Sequence, residues 1–480
     1  MKKFFRAIAI LLLLLIAILL FNTFRFESKQ LDVQTTATSP ASQTAIEHFQ
    51  KAIGYKTISY GDSTQFDSSA FHGFHRYLES TYPLVHSRLT HEKVARFSLL
   101  YRWEGKDPSL NAIILMAHQD VVPIEDATKD KWTVDPFAGE VKDGFIWGRG
   151  TADDKINLIS IMEAAEKLLA EGFQPARTIY FAFGHDEELG GIGARATAAL
   201  LKSRNIKADL VLDEGGIITK ERVPGMTKPV ALIGTSEKGY LSLELTAEKN
   251  GGHSSMPEAE TSIDILAQAI MRLREQPFPA SFSESTRGFL EHIGPEMPFL
   301  QKIVFANPWL FKGVIIGIYE QTGGGNALVR TTIAPTILTA GVKDNVIPTI
   351  AKATINFRLL PGDSADKVIQ RVKEVINDDR VTVSTFNNFK GEPTGVTPED
   401  SFAYKKTDVV VRRVFPNTIT TPFLMIGGTD SRHFSEVSEG IIKFSPMIDP
   451  IGFHGIDERA SLESYQYALA FFEQLIRGVQ

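Results

Sequence analysis

The sequence predicts an α/β fold, in which helices cover a central sheet, together with a second α+β domain inserted into the first. Three short apolar runs lie between Asn111 and Gly215, and each one stops at acidic or histidine residues. Runs of this length, rich in Ile, Val, Leu and Phe, are typical of buried strands. A segment with apolar residues at helical spacing, residues 156–171, separates the first two runs. Strands alternating with helices indicate a sheet with helices on its faces.

The three runs end at residues that can carry chemistry. They cover residues 112–117 before His118, residues 178–183 before His185-Asp186-Glu187-Glu188, and residues 210–212 before Asp213-Glu214. In open α/β sheets, ligands bind beyond the carboxyl ends of the strands. One site at this edge of the sheet is therefore the economical interpretation.

The second domain begins where the texture of the sequence changes, at about Lys228. Residues 241–245 and 353–358 alternate like strands, and residues 263–274 and 365–377 are the best helix predictions. From about Gly391 the chain returns to the first domain, with a final polar cluster at residues 453–459 and an amphipathic helix at 462–477. The second domain is therefore interpreted as an insertion.

The amino terminus carries a targeting signal. Lys2, Lys3 and Arg6 precede an unbroken apolar run over residues 7–21. This run, extended by flanking residues, approaches the roughly 20 residues of a spanning helix. A cleaved signal peptide is the alternative, but no small-x-small cleavage site follows the run directly. We favour an uncleaved anchor with the basic flank in the cytoplasm and the body on the extracytoplasmic side, over a secreted or periplasmic protein.

Composition narrows the functions that remain. The formal net charge of −6 is spread over 480 residues without long runs of one sign, which argues against nucleic-acid binding. The chain contains no cysteine. Any bound metal must therefore be held by His, Asp and Glu side chains.

Several residues at the strand ends can bind metal, although each has a simpler explanation when taken alone. His118 and Asp120 suit a ligating imidazole and the carboxylate that orients it, but such pairs are often structural. Asp153 and Asp154 follow Gly148-Arg149-Gly150 and open a predicted helix, where acidic residues are favoured by the helix dipole. Context has to decide between these interpretations.

Glu187 and Glu188 are harder to explain without a metal. Two adjacent carboxylates in a confined site repel each other unless a cation lies between them. If one binds the metal and its neighbour faces the attacking water, the pair supplies a ligand and a general base. Asp213-Glu214 can add a further ligand, and His454 lies in a polar loop. Together these types of residue are the ligand set of a co-catalytic zinc pair.

The order of the motifs resembles a known family. His-x-Asp, Gly-Arg-Gly-x-x-Asp-Asp-Lys, Asp-Glu-Glu and a distal His-Gly-x-Asp-Glu-Arg are similar to the co-catalytic zinc metallopeptidases that include carboxypeptidase S, aminoacylase, glutamate carboxypeptidase and succinyl-diaminopimelate desuccinylase. The resemblance covers residues 45–480. Gly-His-Asp-Glu-Glu-Leu-Gly-Gly, Leu-Asp-Glu-Gly-Gly and Ser-Glu-Lys-Gly-Tyr are most similar to the carboxypeptidase S branch, which also holds secreted N-fatty-acyl amino acid hydrolases.

The resemblance implies a zinc-peptidase catalytic domain with a central mixed sheet, and an inserted α+β lid of the kind through which relatives form homodimers. The predicted parts of the chain are an anchor or signal segment at 1–26, a linker at 27–43, the catalytic domain at 44–235 and 391–480, and the lid at 236–390.

The resemblance also implies two Zn²⁺ per chain, with Co²⁺ or Mn²⁺ as alternatives. The implied ligands are His118, Asp153 and Asp213 for one ion, and Asp153, Glu188 and His454 for the other. Glu214 is the alternative to Asp213. Asp120 then orients His118, and Glu187 is the general base. A cis peptide bond is implied directly after the bridging aspartate, Asp153.

Substrate-binding residues are implied mainly in the lid. His253 in Gly252-His253-Ser254-Ser255 matches the histidine that stabilises the tetrahedral oxyanion, although a loop histidine can also be structural. Asn345 and Arg358 match residues that grip a substrate carboxylate. Gly428, Thr429 and Arg432 lie in a loop that resembles a facing carboxylate site. A guanidinium suits bidentate carboxylate binding, but surface arginines are often only solvated charges.

The implied reaction is hydrolysis of the amide bond next to a C-terminal amino acid carboxylate, in a peptide or an N-acyl amino acid. An N-acyl amino acid synthase/hydrolase with fatty-acyl substrates is an alternative. So is a non-catalytic, membrane-tethered metal-binding homologue, against which Glu187 argues. Residues 289–319 are unusually rich in aromatic and aliphatic side chains. They predict extra helical core or, alternatively, an apolar wall for an acyl chain or a surface that rests on the bilayer.

Overall fold

A computed structural model describes residues 1–220 and 222–479. Its strands are β1 (Thr90–Val94), β2 (Ser98–Trp103), β3 (Ala112–His118), β4 (Glu140–Lys142), β5 (Phe145–Trp147), β6 (Ile179–Gly184), β7 (Ala208–Thr219), β8 (Val230–Glu237), β9 (Gly239–Glu248), β10 (Gly252–His253), β11 (Thr332–Ala340), β12 (Val346–Ile347), β13 (Ile350–Leu359), β14 (Val381–Gly391), β15 (Ile419–Met425), β16 (Ile441–Ile448) and β17 (Arg459–Ser461).

The α-helices are α1 (Lys2–Arg25), α2 (Gln43–Ile53), α3 (Ser68–Thr81), α4 (Pro83–Arg88), α5 (Lys155–Ala170), α6 (Ile192–Ser203), α7 (Ser262–Glu275), α8 (Glu284–Ile293), α9 (Phe299–Ala306), α10 (Pro308–Tyr319), α11 (Gly323–Val329), α12 (Ala365–Ile376), α13 (Phe402–Val414) and α14 (Leu462–Gly478). The chain divides into two compact units. Unit 1 comprises residues 1–27, 236–396 and 424–428, and unit 2 comprises residues 28–235, 397–423 and 429–480.

Unit 2 is built on an eight-stranded mixed sheet in the order β1-β2-β6-β3-β7-β16-β8-β15. The four central strands β6, β3, β7 and β16 are all parallel to one another. β2 joins β6 antiparallel, and β16 joins β8 antiparallel. The predicted α/β class with a mixed central sheet is confirmed.

Both faces of the sheet are covered by apolar packing. β3 is buried along its whole length. Ile113 and Leu115 belong to a cluster that includes residues of α5 and α14, whereas Ile114 belongs to a second cluster that includes residues of α6. Because successive side chains of a strand point to opposite faces, an unbroken apolar run is what a strand covered on both faces requires.

The predicted strands at 112–117 and 178–183 and the predicted helix at 156–171 correspond to β3, β6 and α5. The third run differs, because β7 does not end at Leu212 but continues to Thr219. β7 pairs with β3 only as far as Leu212 and then runs on beside β16 with shifts in register. Asp213 and Glu214 therefore lie inside a strand, at an irregularity, and not after its end.

Unit 1 contains a four-stranded antiparallel sheet in the order β11-β13-β9-β14. Leu241, Leu243 and Leu245 of β9 alternate into a core that also holds residues of α7 and α12. A capping box of Thr261 and Asp264 begins α7. The strands predicted at 241–245 and 353–358, and the helices predicted at 263–274 and 365–377, are all confirmed.

The amino-terminal helix α1 belongs to unit 1 and has 24 residues. At a rise of 1.5 Å per residue it is about 36 Å long, enough for the roughly 30 Å of a bilayer core. It is the one helix among the described residues that is by itself long and apolar enough to cross a membrane, and a signal sequence meets the same criterion.

The segment predicted as a linker contains neither helix nor strand from residue 28 to residue 42. It makes specific hydrogen bonds within unit 2. Thr36 N donates to the Arg413 carbonyl over 2.8 Å, and Gln30 Nε2 donates to the Thr420 carbonyl over 3.0 Å. These hydrogen bonds attach the segment to the rest of unit 2.

Candidate active site

Acidic and histidine side chains meet at the carboxyl edge of the sheet in unit 2. His118 is the last residue of β3, and Asp153 lies just before α5. Glu188 lies in a single 3₁₀ turn that follows β6, and His454 lies in the loop between β16 and β17. His118 and Glu188 reach this edge because the parallel strands β3 and β6 end there, as the sequence predicted, whereas Asp153 reaches it on the loop before α5.

Asp153 is the centre of the cluster. Its Oδ1 lies 2.9 Å from His118 Nε2, and its Oδ2 lies 2.8 Å from His454 Nε2. Each carboxylate oxygen therefore faces a different imidazole, so Asp153 could offer one oxygen to each of two metal ions. The peptide bond from Asp153 to Asp154 is cis, as predicted.

Two groups of ligand atoms are small enough to hold one metal ion each. The first is His118, Asp153 and Glu214, and the second is Asp153, Glu188 and His454. His118 Nε2 lies 3.4 Å from Glu214 Oε1, and His454 Nε2 lies 3.3 Å from Glu188 Oε2. Tetrahedral ligands 2.0–2.1 Å from a zinc ion are about 3.3 Å apart. These two spacings match that value, whereas the contacts of Asp153 with His118 and His454, at 2.9 and 2.8 Å, are shorter.

The geometry favours Glu214 over Asp213 as the third ligand of the first group. The Asp213 carboxylate already accepts two backbone hydrogen bonds, from Ser431 N over 2.7 Å and from Glu214 N over 3.0 Å. Because neighbouring residues of a strand point to opposite sides, only one of the two acids can face His118. The structure brings Glu214 to that position.

The electrostatics of the cluster call for a cation. Burial and then Asp153 raise the pKa of Glu214 to about 8. The pKa of Asp154 is raised well above its usual value by burial and by Glu214. Hydrogen bonds to Asp153 and Glu188 raise the pKa of His454 to about 10. Crowded carboxylates hold protons that a divalent ion would displace, so the residues present fit a metal pair.

Glu187 lies beside Glu188, a candidate metal ligand, in the same 3₁₀ turn. Burial raises the pKa of its carboxyl well above the usual value, and Glu214 raises it further. A carboxylate with a raised pKa can accept a proton from water and later release it near neutral pH. The raised pKa suits the general-base role expected for Glu187, and that role stays a prediction.

Asp120 connects His118 to the turn that carries Glu187. Its Oδ1 and Oδ2 accept hydrogen bonds of 3.2 Å from the backbone N–H groups of Glu187 and Glu188. His118 Nδ1 donates to the Asp120 backbone carbonyl over 2.9 Å, while the carboxylate lies farther away, at 3.4 Å. When the imidazole is neutral, a donating Nδ1 leaves Nε2 without a proton and able to bind metal.

Glu458 is a buried residue of the motif His-Gly-x-Asp-Glu-Arg, for which the sequence predicted no role. Its Oε1 accepts hydrogen bonds from the backbone N–H groups of Gly150, Ala152 and Asp153 over 3.0, 2.9 and 3.2 Å. Its Oε2 lies 2.5 Å from Arg149 Nη1. Glu458 therefore holds the loop that carries Asp153. The motif Gly-Arg-Gly-x-x-Asp-Asp-Lys was the signal that this loop is constrained.

Replacing Glu458 by glutamine is expected to weaken metal binding by about 10- to 100-fold, the range for groups that orient metal ligands. Glutamine has nearly the shape of glutamate, but its side chain is uncharged. It therefore loses the ion pair with Arg149 or the hydrogen bonds from the loop N–H groups. Titration of the apo protein with zinc against a competing chelator measures the change. Glu463→Gln, at an exposed position in α14, is the matched control. Equal zinc affinities for both variants and the wild type would contradict this role.

The substrate residues predicted in the lid belong to unit 1. His253 of β10 pairs with Val346 of β12, and Ser254 N donates to the Asn345 carbonyl over 3.2 Å. The small two-stranded sheet thus brings His253 and Asn345 together. Arg358 lies on β13 with its guanidinium 4.7 Å from the centre of the Tyr240 ring.

The predicted carboxylate loop contains the point at which the chain passes from unit 1 to unit 2. Gly428 is the last residue of the former, and Thr429 is the first of the latter. Thr429 Oγ1 lies 2.7 Å from Ser431 Oγ, and Arg432 lies in the 3₁₀ turn Asp430–Phe434. Among the described residues, no group hydrogen-bonds the buried Asp430 carboxylate, and burial raises its pKa well above the usual value.

Gly191 follows the Glu187 turn and has no room for a side chain. A Cβ on this residue would lie 1.9 Å from Asp430 Oδ1, and its φ of +68° favours glycine. The last glycine of Gly-His-Asp-Glu-Glu-Leu-Gly-Gly is therefore required by the close approach of Asp430.

The chain is similar to known proteins over nearly its whole length. It matches peptidase family M20/M25/M40 over residues 114–478. It is 40% identical over 486 residues to probable carboxypeptidase S-like 2 of Dictyostelium discoideum, covering 98% of this chain and 93% of the relative. It is 39% identical over 440 residues to the human N-fatty-acyl-amino acid synthase/hydrolase PM20D1, covering 90% and 87%.

The fold is also shared with a solved structure. An M20 family metallo-carboxypeptidase from Sulfolobus solfataricus superposes with a TM-score of 0.69 at 16% identity, covering 92% of this chain and 99% of that chain. The family match, the two relatives and the metal-ligand groups agree with one another. The chain therefore belongs to the peptidase family M20/M25/M40, as a hydrolase of its carboxypeptidase S-like branch.

Proposed function

We propose that this protein is a co-catalytic two-zinc amidohydrolase, which cleaves the amide bond next to the free carboxylate of an amino acid. The single observation that carries the proposal is Asp153, whose two oxygens face His118 and His454 separately. Glu214 completes the proposed first ligand set and Glu188 the second. This assignment replaces Asp213 by Glu214. Co²⁺ and Mn²⁺ are the alternative ions that the same ligands could bind.

The proposed chemistry divides between the metal ions and the protein. Two zinc ions in these sites supply Lewis acidity, which polarises the amide carbonyl and acidifies water. Glu187 accepts the proton that the attacking water loses as its oxygen bonds to the carbonyl carbon. It then delivers this proton to the leaving nitrogen when the C–N bond breaks, so that the products are a carboxylic acid and an amine.

The proposal retains the roles that the resemblance implies for residues of the inserted lid. His253 stabilises the tetrahedral oxyanion, and Asn345 and Arg358 bind the substrate carboxylate. Thr429 and Arg432 are proposed to bind the substrate carboxylate as well. Gly428 lies in the same loop. Residues 236–390 are accordingly proposed to act as the lid and as a surface for homodimer formation.

A second activity is supported by the relatives. The human relative is named as an N-fatty-acyl-amino acid synthase/hydrolase. Hydrolysis and condensation pass through the same transition state, so the same residues would serve both directions. We therefore include long-chain N-acyl amino acids among the proposed substrates, beside peptides.

The proposed location is the extracytoplasmic side of a membrane, with α1 as an uncleaved anchor. The helix has the length and apolar composition for this, and Lys2, Lys3 and Arg6 fit the cytoplasmic flank. Release after signal cleavage is the alternative. A non-catalytic tethered metal binder is disfavoured, because the chain keeps Glu187 in a tuned position.

A substrate panel tests the proposed function. Purified full-length protein is assayed with dipeptides and with N-acyl amino acids of several chain lengths, and with the same compounds carrying a carboxamide in place of the free carboxylate. We expect turnover of at least one carboxylate series, loss of turnover with a zinc chelator, and at least about tenfold lower kcat/KM for the carboxamides. No chelator-sensitive hydrolysis of any member would overturn the proposal.

A further inference from the structure

Helices α9 and α10 form a short apolar hairpin that unit 1 does not bury. The two helices meet at a bend of 112° around Asn307. α9, which the structure describes in full, has no buried residue, and Ile315 is the one buried residue of α10. Leu300 is 79% exposed and Trp309 is 59% exposed. The other large exposed apolar side chains here are Phe299, Leu310, Val314 and Ile318.

The exposed side chains exclude the prediction that this segment adds to the helical core. A helix that serves a protein core buries one apolar stripe, whereas this hairpin leaves apolar side chains in the open on both of its helices. A contiguous exposed apolar patch marks an interaction surface. The charge pattern indicates which kind: between residues 298 and 319 the chain has Lys302 and Lys312 but no acidic residue. Such a pattern suits anionic lipid headgroups.

The hairpin is fastened to the end of the predicted membrane anchor. Asn22 Nδ2 of α1 donates to Asn307 Oδ1 over 2.8 Å, and Asn307 Nδ2 donates to the carbonyls of Leu19 and Ile303 over 3.2 and 2.9 Å. Asn307 is completely buried. Its amide thus satisfies polar groups of α1 and α9 at the bend, as any buried or membrane-embedded polar group requires.

Apolar contacts continue the attachment beyond the hydrogen bonds. The rings of Phe24 and Phe299 lie 6.2 Å apart. Phe26 packs on Gly294, where a Cβ would lie 2.6 Å from its ring. The hairpin is therefore fixed at the level where α1 leaves its apolar run, which is the outer interface if α1 crosses the membrane.

The lengths of the helices show how deeply they can reach. At 1.5 Å per residue, α9 with eight residues and α10 with 12 are about 12 and 18 Å long, and neither can cross a core of about 30 Å. An indole at 309 and lysines at 302 and 312 are the residue types that lie at the boundary between acyl chains and headgroups. The hairpin thus has the dimensions of an element embedded in one leaflet.

We propose that the α9–α10 hairpin is a second membrane-inserting element, which lies in the outer leaflet beside α1 and fixes unit 1 against the lipid surface. Only the choice of leaflet rests on the proposed orientation of α1. The occupant of the surface is the bilayer itself, because the hairpin is continuous with a helix that is apolar enough to cross it.

Single-cysteine labelling tests this inference, since the chain contains no native cysteine. Leu300→Cys and Val314→Cys report on the hairpin, Leu13→Cys on α1, and Met271→Cys, an exposed position of α7, is the matched control outside the hairpin. Full-length protein is labelled with an environment-sensitive fluorophore and placed in phosphatidylcholine–phosphatidylglycerol vesicles. Quenching is measured with aqueous iodide and with doxyl-labelled lipid. Thermal unfolding of each labelled protein is compared with that of the unlabelled chain.

The expected result is that labels at 300 and 314 lose iodide quenching and gain doxyl quenching, as the label at 13 does, while the label at 271 shows the reverse. Iodide quenching at 300 and 314 equal to that at 271 would overturn the inference. So would shielding from both quenchers, which indicates a second protein copy, or shielding that appears only with an N-acyl amino acid, which indicates an acyl-chain wall. If the label at 13 alone remains in water, the proposed anchor fails, while the labels at 300 and 314 still decide the inference.

Discussion

Replacing Glu187 by glutamine is expected to lower kcat by about 10²- to 10⁴-fold, the usual contribution of a positioned general acid–base group. Glutamine has nearly the shape of glutamate but cannot accept a proton from water at neutral pH. Glu187 belongs to neither group of ligand atoms, so its loss leaves both proposed metal sites intact. The expected signature is therefore a large fall in kcat with little change in zinc content.

Steady-state kinetics on the best substrate of the panel, together with elemental analysis for zinc, measure both quantities. Glu125→Gln is the matched control, because Glu125 is an exposed glutamate of unit 2. A variant Glu187→Gln with wild-type turnover would refute the mechanism. A variant that loses its zinc together with its activity would instead assign Glu187 to the metal site.

The sheet edge that carries the site was predictable because its signals are local. A strand buried on both faces must be apolar throughout, so β3 and β6 could be recognised from runs of six or seven residues. The abrupt change to polar residues after each strand also marked the edge where ligands bind. His118 and Glu187 were found by this argument without any knowledge of which strands are neighbours.

The choice between Asp213 and Glu214 was not predictable, because it depends on strand register. The sequence suggested that the third strand ends at Leu212, yet β7 continues to Thr219. The register shifts that turn Glu214 towards His118 arise from pairing with β16, whose residues follow more than 200 positions later. No local pattern carries that information.

Long-range contacts explain two further features that the sequence did not assign. Glu458 supports the backbone of the loop before Asp153 from 305 positions away. Asn22 and Asn307 are 285 positions apart, although each looks like the end of an apolar stretch. Polar residues that terminate apolar runs are common, and only the fold shows that these two meet.

Replacing Asp153 by asparagine is expected to abolish metal binding at both sites. Its two oxygens face different histidines, and an amide offers only one oxygen to replace them. The wild-type apo protein at a zinc concentration of 100 Kd should gain about 2.7 kcal/mol of unfolding free energy for each occupied site, because zinc binds the folded state alone. The variant should gain almost none and should have no measurable turnover. Thermal unfolding of both proteins with and without zinc measures the difference.

The control is Asp143→Asn, at an exposed aspartate in the turn between β4 and β5 with a φ of +52° that asparagine tolerates. It should respond to zinc as the wild type does. A full zinc response in Asp153→Asn would show that Asp153 is not a ligand of either ion.

The pH dependence of the chelator-treated protein provides an independent check on the same aspartate. Burial and Asp153 raise the pKa of Glu214 from 4.5 to about 8 in the folded state. Between these values Glu214 binds more protons in the folded protein than in the unfolded chain, so its contribution to the free energy of unfolding falls as the pH rises from about 4.5 to about 8. Asp153→Asn removes one cause of the raised pKa, and the fall should be shallower in the variant than in the wild type. Equal slopes would mean that the charge of Asp153 does not act on Glu214, which would contradict the first proposed metal site, whose ligand atoms lie within 4.8 Å of one another.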